Sequence, residues 1–358
     1  MKHPLARCWM LAAMLPLIPA GNARLEAAPA GAPVVRVDAA DPLLWTPQVL
    51  SSDLSRTLQP WKDAGRLVRL HIVASDPAAA AAAWQSLAES FPIGGNGPAI
   101  TIVETALPEG ARFAVDATLV PHPGHTVIEG SRVLASGPRL FVSGQAEKGD
   151  GTLVGATRAT LLSLEKSLLH FGSNKQRVVQ VKAFFSPMGE AATVRNEVAR
   201  FFGDQTPPLV LTEWGSPLIE IEVVAGGPVA PAESPILEFL TPPGMTTPTV
   251  YCRMARVNRG GLLFLGGIYG EGENPETEVR SVLDQLKTRS ETSGSDLKHL
   301  IKATYYVSSD GTSKALNLLR PEYYAPLRPP AASKSSLTGV GLPGQAIVLD
   351  MIAVEKPQ

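Results

Sequence analysis

The chain has 358 residues, 44% of them hydrophobic and 18% charged, with a formal net charge of -1. That balance supports several small packed cores and excludes a disordered polyelectrolyte. A pI near 6.6 and the lack of any basic stripe argue against nucleic acid as the main partner, and with it against ribonuclease action.

The first residues, Met1 to Arg7, are basic and lead into the apolar run 8–20, followed by small residues up to Ala23. Residues 1–23 therefore read as a secretory signal peptide, too short and too proline-broken to span a bilayer. The expectation is an exported protein, periplasmic or secreted, with no membrane association after cleavage. Cys8 stands at the head of that run, ahead of its apolar core, the wrong place for a lipoprotein cysteine. Cleavage leaves Cys252 alone, without a partner for a disulfide or a cysteine metal site. Stretches 27–33 and 226–235 have linker composition.

In chain order, a short strand at 43–48 precedes a helix at 53–64, a strand at 66–74 and a helix at 77–91. A strand from Pro98, a Leu107-Pro108 corner and a second strand through Asp116 follow. The order then recurs. A strand at 140–145 is followed by a helix at 153–171, where Leu161, Leu164, Leu168 and Phe171 share a stripe that ends at Gly172. Next come a strand at 177–185 and a helix at 189–202 carrying Val194, Val198, Phe201 and Phe202 on one period. Residues 207–222 repeat the ending, with Ser216-Pro217 at the corner.

A third pass gives a strand at 261–268 and a helix at 275–287 opened by Asn274-Pro275-Glu276, a cap, a first-turn proline and an acid favourable to the dipole. A strand at 298–307, a helix from Thr312 to about Tyr324 and the ending 330–350 with its Leu342-Pro343 corner complete it. Proline fixes φ and donates no ladder hydrogen bond, so each corner stops one strand before the next begins. The corner prolines are 109 and 126 residues apart, which is the size of a small domain and not of a solenoid repeat. The expectation is α+β: three β-β-α-β-α-β units at 34–120, 126–226 and 236–356, whose bare sheet faces cover one another.

The hairpin ending in Ser143-Gly144-Gln145, the glycine-ended helix, the strand-helix pair and the Leu-Pro ending before Ile219-Glu220-Ile221-Glu222 resemble the RidA (YjgF-like) family, over about residues 34 to 355. The resemblance implies a chorismate-mutase-like fold and trimers with ligand clefts between subunits. Three copies in one chain then imply a covalent pseudo-trimer, monomeric in solution. No phosphate loop or metal-ligand cluster stands out in the residues, so no cofactor and no metal are expected. The family's imine deaminases hold a substrate carboxylate with an arginine and position water with a glutamate. Counted from the corner, the arginine position falls on Lys334, Ile100 and Leu209, so no copy keeps it. The glutamate position falls on Ala114, Glu220 and Val348, so one copy keeps it. Tyr251 matches a cleft tyrosine and Gln145 the glutamine that closes the hairpin.

These positions imply Glu220 as the catalytic group and Lys334, Tyr251 and Gln145 as contacts to a small carboxylate-bearing ligand. The activity implied is that of an enamine/imine deaminase, a hydrolase of the 2-iminobutanoate/2-iminopropanoate type. The alternative is a non-catalytic binding or scaffold module that keeps only the fold. Chorismate-mutase chemistry needs paired arginines at a cleft, and none are identifiable. Each residue also has a plainer reading: Lys334 as a solvated lysine in the serine-rich turn 332–336, Glu220 as a solvent-facing strand carboxylate, Tyr251 as a core edge. The histidines at 71, 122, 125, 170 and 299 show no ligand spacing, and Gly260-Gly261 and Gly266-Gly267 read as turn and close-packing glycines.

Overall fold

A computed structural model describes residues 34–357 apart from 92–96, 125–127 and Pro217. The leader-like segment, the first low-complexity stretch, His125 and the middle corner proline lie outside the described residues. The first third of the chain supplies β1 (Val34–Val37), β2 (Leu43–Trp45), β3 (Val49–Ser51), α1 (Leu54–Ala64), β4 (Gly65–Ala74), α2 (Pro77–Ser90), β5 (Ala99–Glu104) and β6 (Phe113–Pro121). The middle supplies β7 (Arg132–Leu134), β8 (Arg139–Gln145), α3 (Leu153–His170), β9 (Val178–Phe185), α4 (Ala191–Phe202), β10 (Leu209–Glu213) and β11 (Ile219–Gly226). The last third supplies β12 (Leu237–Leu240), β13 (Met254–Val257), β14 (Leu262–Tyr269), α5 (Pro275–Thr292), β15 (Leu300–Val307), α6 (Asp310–Tyr323), β16 (Ala331–Ser336) and β17 (Ile347–Val354).

The helices start where capping side chains let them start. Asp53, Asp76, Thr152, Asn274 and Ser309 each accept a hydrogen bond from an orphan amide of the first turn, worth about 1 kcal/mol apiece. Helix α5 runs five residues past the expected end because Ser290, a full turn beyond Leu286, is also buried.

The strands form three mixed sheets, in the orders β5-β4-β6-β2-β7, β10-β9-β11-β8-β13-β12 and β1-β14-β17-β15-β16, with β3 also on β6. In each sheet the strand between the two helices (β4, β9, β15) pairs parallel with the first strand of the recurrent ending (β5, β10, β16) on one side and antiparallel with its closing strand (β6, β11, β17) on the other. Opening strands cross over: β1 pairs β14 of the third sheet, β7 pairs β2 of the first, and β12 and β13 extend the second. Sequence boundaries at 34, 126 and 236 therefore do not coincide with sheet boundaries, because local pattern carries no record of which distant edge a strand will join.

The serine-rich segment 332–336, expected as a turn, lies within strand β16. It has no apolar alternation to announce a strand, and parallel pairing with β15 holds it instead. Pro108 opens a short 3-10 turn, as a corner should.

Each sheet buries one face under its two helices: α1 and α2 with Leu58, Trp61 and Leu87, α3 and α4 with Leu164 and Val198, α5 and α6 with Leu283 and Leu316. The helix-free faces meet in one shared core that draws Val37, Trp45, Phe141, Val257, Phe264 and Ile301 from all three sheets. The contacts between sheets recur in kind. The Gln48 amide pairs both ways with Leu211 of β10 at 3.1 Å, Ser143 Oγ accepts from Ala332 N of β16 at 2.8 Å, and Gly267 N donates to Thr101 Oγ1 of β5 at 3.1 Å. Among the described residues no helix is long and apolar enough to cross a membrane, and no cluster of three or more His, Cys, Asp or Glu side chains is placed to hold a metal ion.

Candidate functional site where the second and third sheets meet

The three closing strands β6, β11 and β17 each carry an acid at their fourth position: Asp116, Glu222 and Asp350. All three point away from the helices, into the junction of the sheets, and all are buried. Burial alone would force such carboxyls to stay neutral. Cations are supplied instead. Arg69 of β4 donates from Nη1 to Asp116 at 2.9 Å and from Nε to both oxygens of Asp350 at 2.9 and 3.1 Å. Lys302 of β15 ion-pairs with Glu222, which also accepts from Ser333 Oγ at 2.8 Å.

His71 and Tyr306 complete a chain. Burial and the Lys182 ammonium lower His71 to about 4, so its imidazole is neutral. The hydrogen-bond pattern then assigns the tautomer: Nδ1–H donates to Asp116 at 2.7 Å, and Nε2 accepts from Tyr306 Oη at 3.0 Å. Tyr306 Oη accepts from Lys182 Nζ in turn. Despite burial, Asp116 stays well below the usual carboxylate range because His71 and Arg69 face it, and Asp350 is lowered because Arg69 does. Lys182 is pushed down to about 8, by burial against the pull of Glu222.

Two residues before each acid lies the position expected to hold a glutamate. In β6 and β17 these residues, Ala114 and Val348, are packed in one apolar cluster with Val103, Tyr269 and Leu342 between the first and third sheets. In β11 the residue is Glu220. It shares a face with Glu222 because side chains alternate along a strand. Its Oε1 is sealed from solvent with no hydrogen-bond partner. Burial raises it to about 7; the Ser333 hydroxyl works against that shift, Glu222 adds to it, and Lys302 and Lys334 oppose it. Space for the carboxyl comes from Gly144 of β8, where a Cβ would collide with it.

Lys334 belongs to the third sheet and Glu220 to the second, so the structure brings the two to one interface within electrostatic range. They do not touch. Lys334 turns to the helix face of β16, where Nζ donates to Ser313 Oγ at 2.8 Å and Asn317 Oδ1 at 3.3 Å. Gln145 is beside Ile221, on the helix face of its sheet, and donates to Ser167 Oγ of α3 at 3.1 Å. It therefore faces away from Glu220. Tyr251 is half-buried under the Arg253 guanidinium, 5.4 Å from its ring centre, next to the Cys252 bridge to Ala331. The sequence reading missed Arg69, Lys182, Lys302 and Tyr306; charged residues inside apolar strand runs were the available signal.

No family profile matches the sequence, and no curated protein matches it. Solved structures of the YjgF family are similar to parts of it. A YjgF-family protein of Neisseria meningitidis is 22% identical, covering 34% of this chain and 97% of its own, with a TM-score of 0.26. A YjgF-family protein of Mycobacterium tuberculosis is 27% identical over 27% of this chain and 82% of its own, with a TM-score of 0.24. A candidate endoribonuclease of Thermotoga maritima is 28% identical over 30% and 87%, with a TM-score of 0.23. Each covers about a third of the chain or less.

Proposed function

We propose that the chain is a covalent pseudo-trimer of three RidA-like units with exchanged opening strands, monomeric in solution, and that one of its three interunit junctions, between the second and third sheets, is an active site for a small carboxylate-bearing imine. Glu220 carries this reading: a sealed carboxyl with an unpartnered oxygen and a pKa near 7, at the edge of another unit. A group poised near the working pH gives the best compromise between correct protonation and driving force for proton transfer. The recurrence of the endings and of the intersheet contacts supports the threefold plan, and the apolar filling around Ala114 and Val348 supports one site per chain.

In the proposed reaction the ionised Glu220 takes a proton from water as the water oxygen bonds to the imine carbon. The resulting carboxylic acid gives that proton to nitrogen, leaving a neutral carbinolamine. Glu220 then takes the carbinolamine hydroxyl proton and passes it to nitrogen as the carbon–nitrogen bond breaks and the carbonyl forms, releasing ammonia and a 2-oxo acid. Lys302 and Lys334 favour an anionic ligand at the interface. The test is hydrolysis of freshly generated 2-iminopropanoate, with light scattering in parallel. Acceleration over buffer that falls about a hundredfold in Glu220→Gln is expected, from a species of one-chain mass. A wild-type protein that binds pyruvate without accelerating hydrolysis establishes the binding-module reading, which the diversion of Lys334 toward α6 favours.

A further inference from the structure

We propose that Arg320 of α6, together with Lys334, forms a two-cation clamp for the carboxylate of the ligand, so that a helix supplies the guanidinium that strand β16 lacks. The inference rests on the Glu220 reading only for what the ligand then undergoes, and the clamp is tested separately from it.

Arg320 is 7% exposed, and its guanidinium lies 4.9 Å from the centre of the Tyr305 ring. Tyr305 is fixed beneath it by a hydrogen bond between its hydroxyl and that of Tyr324. Nη2 donates to Asn317 Oδ1 at 2.8 Å, while Nε–H is buried with no acceptor among the described residues. Buried arginines are normally paired with an acid. This one has no carboxylate partner among the described residues. Lys334 Nζ bonds that same Asn317 oxygen at 3.3 Å, so two cations share one neutral acceptor. Lys334 is lowered below its ordinary value by burial and by the Arg320 charge, against the pull of Glu220.

Two like charges at hydrogen-bond distance from one amide oxygen repel, and in a half-buried setting water screens them poorly. An oxyanion in the place of the Asn317 amide relieves this. It accepts from Arg320 Nη2 and Nε and from Lys334 Nζ, with the Ser313 hydroxyl 2.8 Å from that amine as a further donor. Access is open, because Asn317 is exposed and Ser313 and Lys334 are half-buried. The fork of donors and the single point charge suit a planar carboxylate.

The test is pyruvate binding by calorimetry at low salt and neutral pH, with inorganic phosphate as the competing anion. Arg320→Gln should weaken pyruvate at least tenfold, Arg320→Lys less, and Glu220→Gln little, although Glu220→Gln lowers turnover about a hundredfold. Because Arg320 packs on Tyr305 and its removal could unfold α6, Asn317→Asp supplies a second arm. It sets a carboxylate between the two cations, and should raise the melting temperature while abolishing pyruvate binding. Wild-type protein that binds no pyruvate, or binds phosphate alone, overturns the clamp. So does Asn317→Asp with unchanged stability and unchanged binding. Loss of turnover in wild type with pyruvate binding intact and Arg320-dependent would sink the catalytic reading and leave the clamp standing.

Discussion

Replacing Arg69 with methionine preserves the aliphatic stem and deletes the guanidinium that joins β6 of the first sheet to β17 of the third. Asp116 keeps its bond from His71 Nδ1 at 2.7 Å, but Asp350 has no donor other than Arg69 among the described residues. At 5% exposure it becomes a buried, unpaired carboxylate. Removing one partner of such a pair costs about 3–5 kcal/mol, a large share of the roughly 5–15 kcal/mol that keeps a domain folded. Urea unfolding at pH 7.5, followed by tryptophan fluorescence, reads the loss directly. Asp350→Leu in the same chain should return much of it, since apolar replacement of a whole buried pair is nearly neutral. The pH dependence should also change sign. In the wild type the lowered Asp116 and Asp350 give stability that is present above the unfolded carboxylate pKa and is lost as pH falls. In the variant, Asp350 is raised, so its contribution is present below the unfolded value and is lost as pH rises. A loss under about 1 kcal/mol at pH 7.5, with no inversion, refutes the network as drawn.

Other perturbations follow the same logic. His71 is held neutral with a value near 4 against an ordinary 6.5, so the unfolded chain takes up the proton first. Stability is full above pH 6.5 and should fall toward pH 4 by up to about 1.4 kcal/mol per unit for this group; a His71→Asn variant with an equally steep slope would count against it. Gly144→Ala drives the Glu220 side chain out of its recess, so hydrolysis should collapse while the melting temperature moves little; full activity contradicts the placement. The Cys252 thiol is buried and pushed up to about 12. It should resist a thiol reagent in the native protein and react at once in urea, and rapid native labelling would contradict its burial.

Most of the architecture is legible in the sequence because caps, corners and helical stripes are local signals. Asn274 announces its helix, Gly172 ends another, and Pro108 and Pro343 mark their turns. What is not legible depends on partners far along the chain. Nothing in Val34-Val35-Arg36-Val37 points to β14, more than two hundred residues away. Strand β16 is built from alanine, serine and lysine, and only its parallel neighbour makes it a strand. For the candidate site, Glu220 is legible through the family-like Ile219-Glu220-Ile221-Glu222 ending, and the acids two residues after each such position are legible too. The cations facing them were not, because Arg69, Lys182 and Lys302 lie in runs that read simply as apolar strands. Arg320 carries no local signal within its helix. Only packing over Tyr305 and a shared acceptor with Lys334 distinguish it.

The measurement that bears most directly on the account is the titration of Glu220 itself, read from its side-chain carboxyl carbon by NMR and assigned by its loss in Glu220→Gln. A midpoint near 7 that moves when pyruvate is added is the result expected of a sealed carboxyl beside a carboxylate clamp. A midpoint at the ordinary glutamate value of 4.5, indifferent to pyruvate, would make Glu220 a plain strand carboxylate and leave the interface without chemistry.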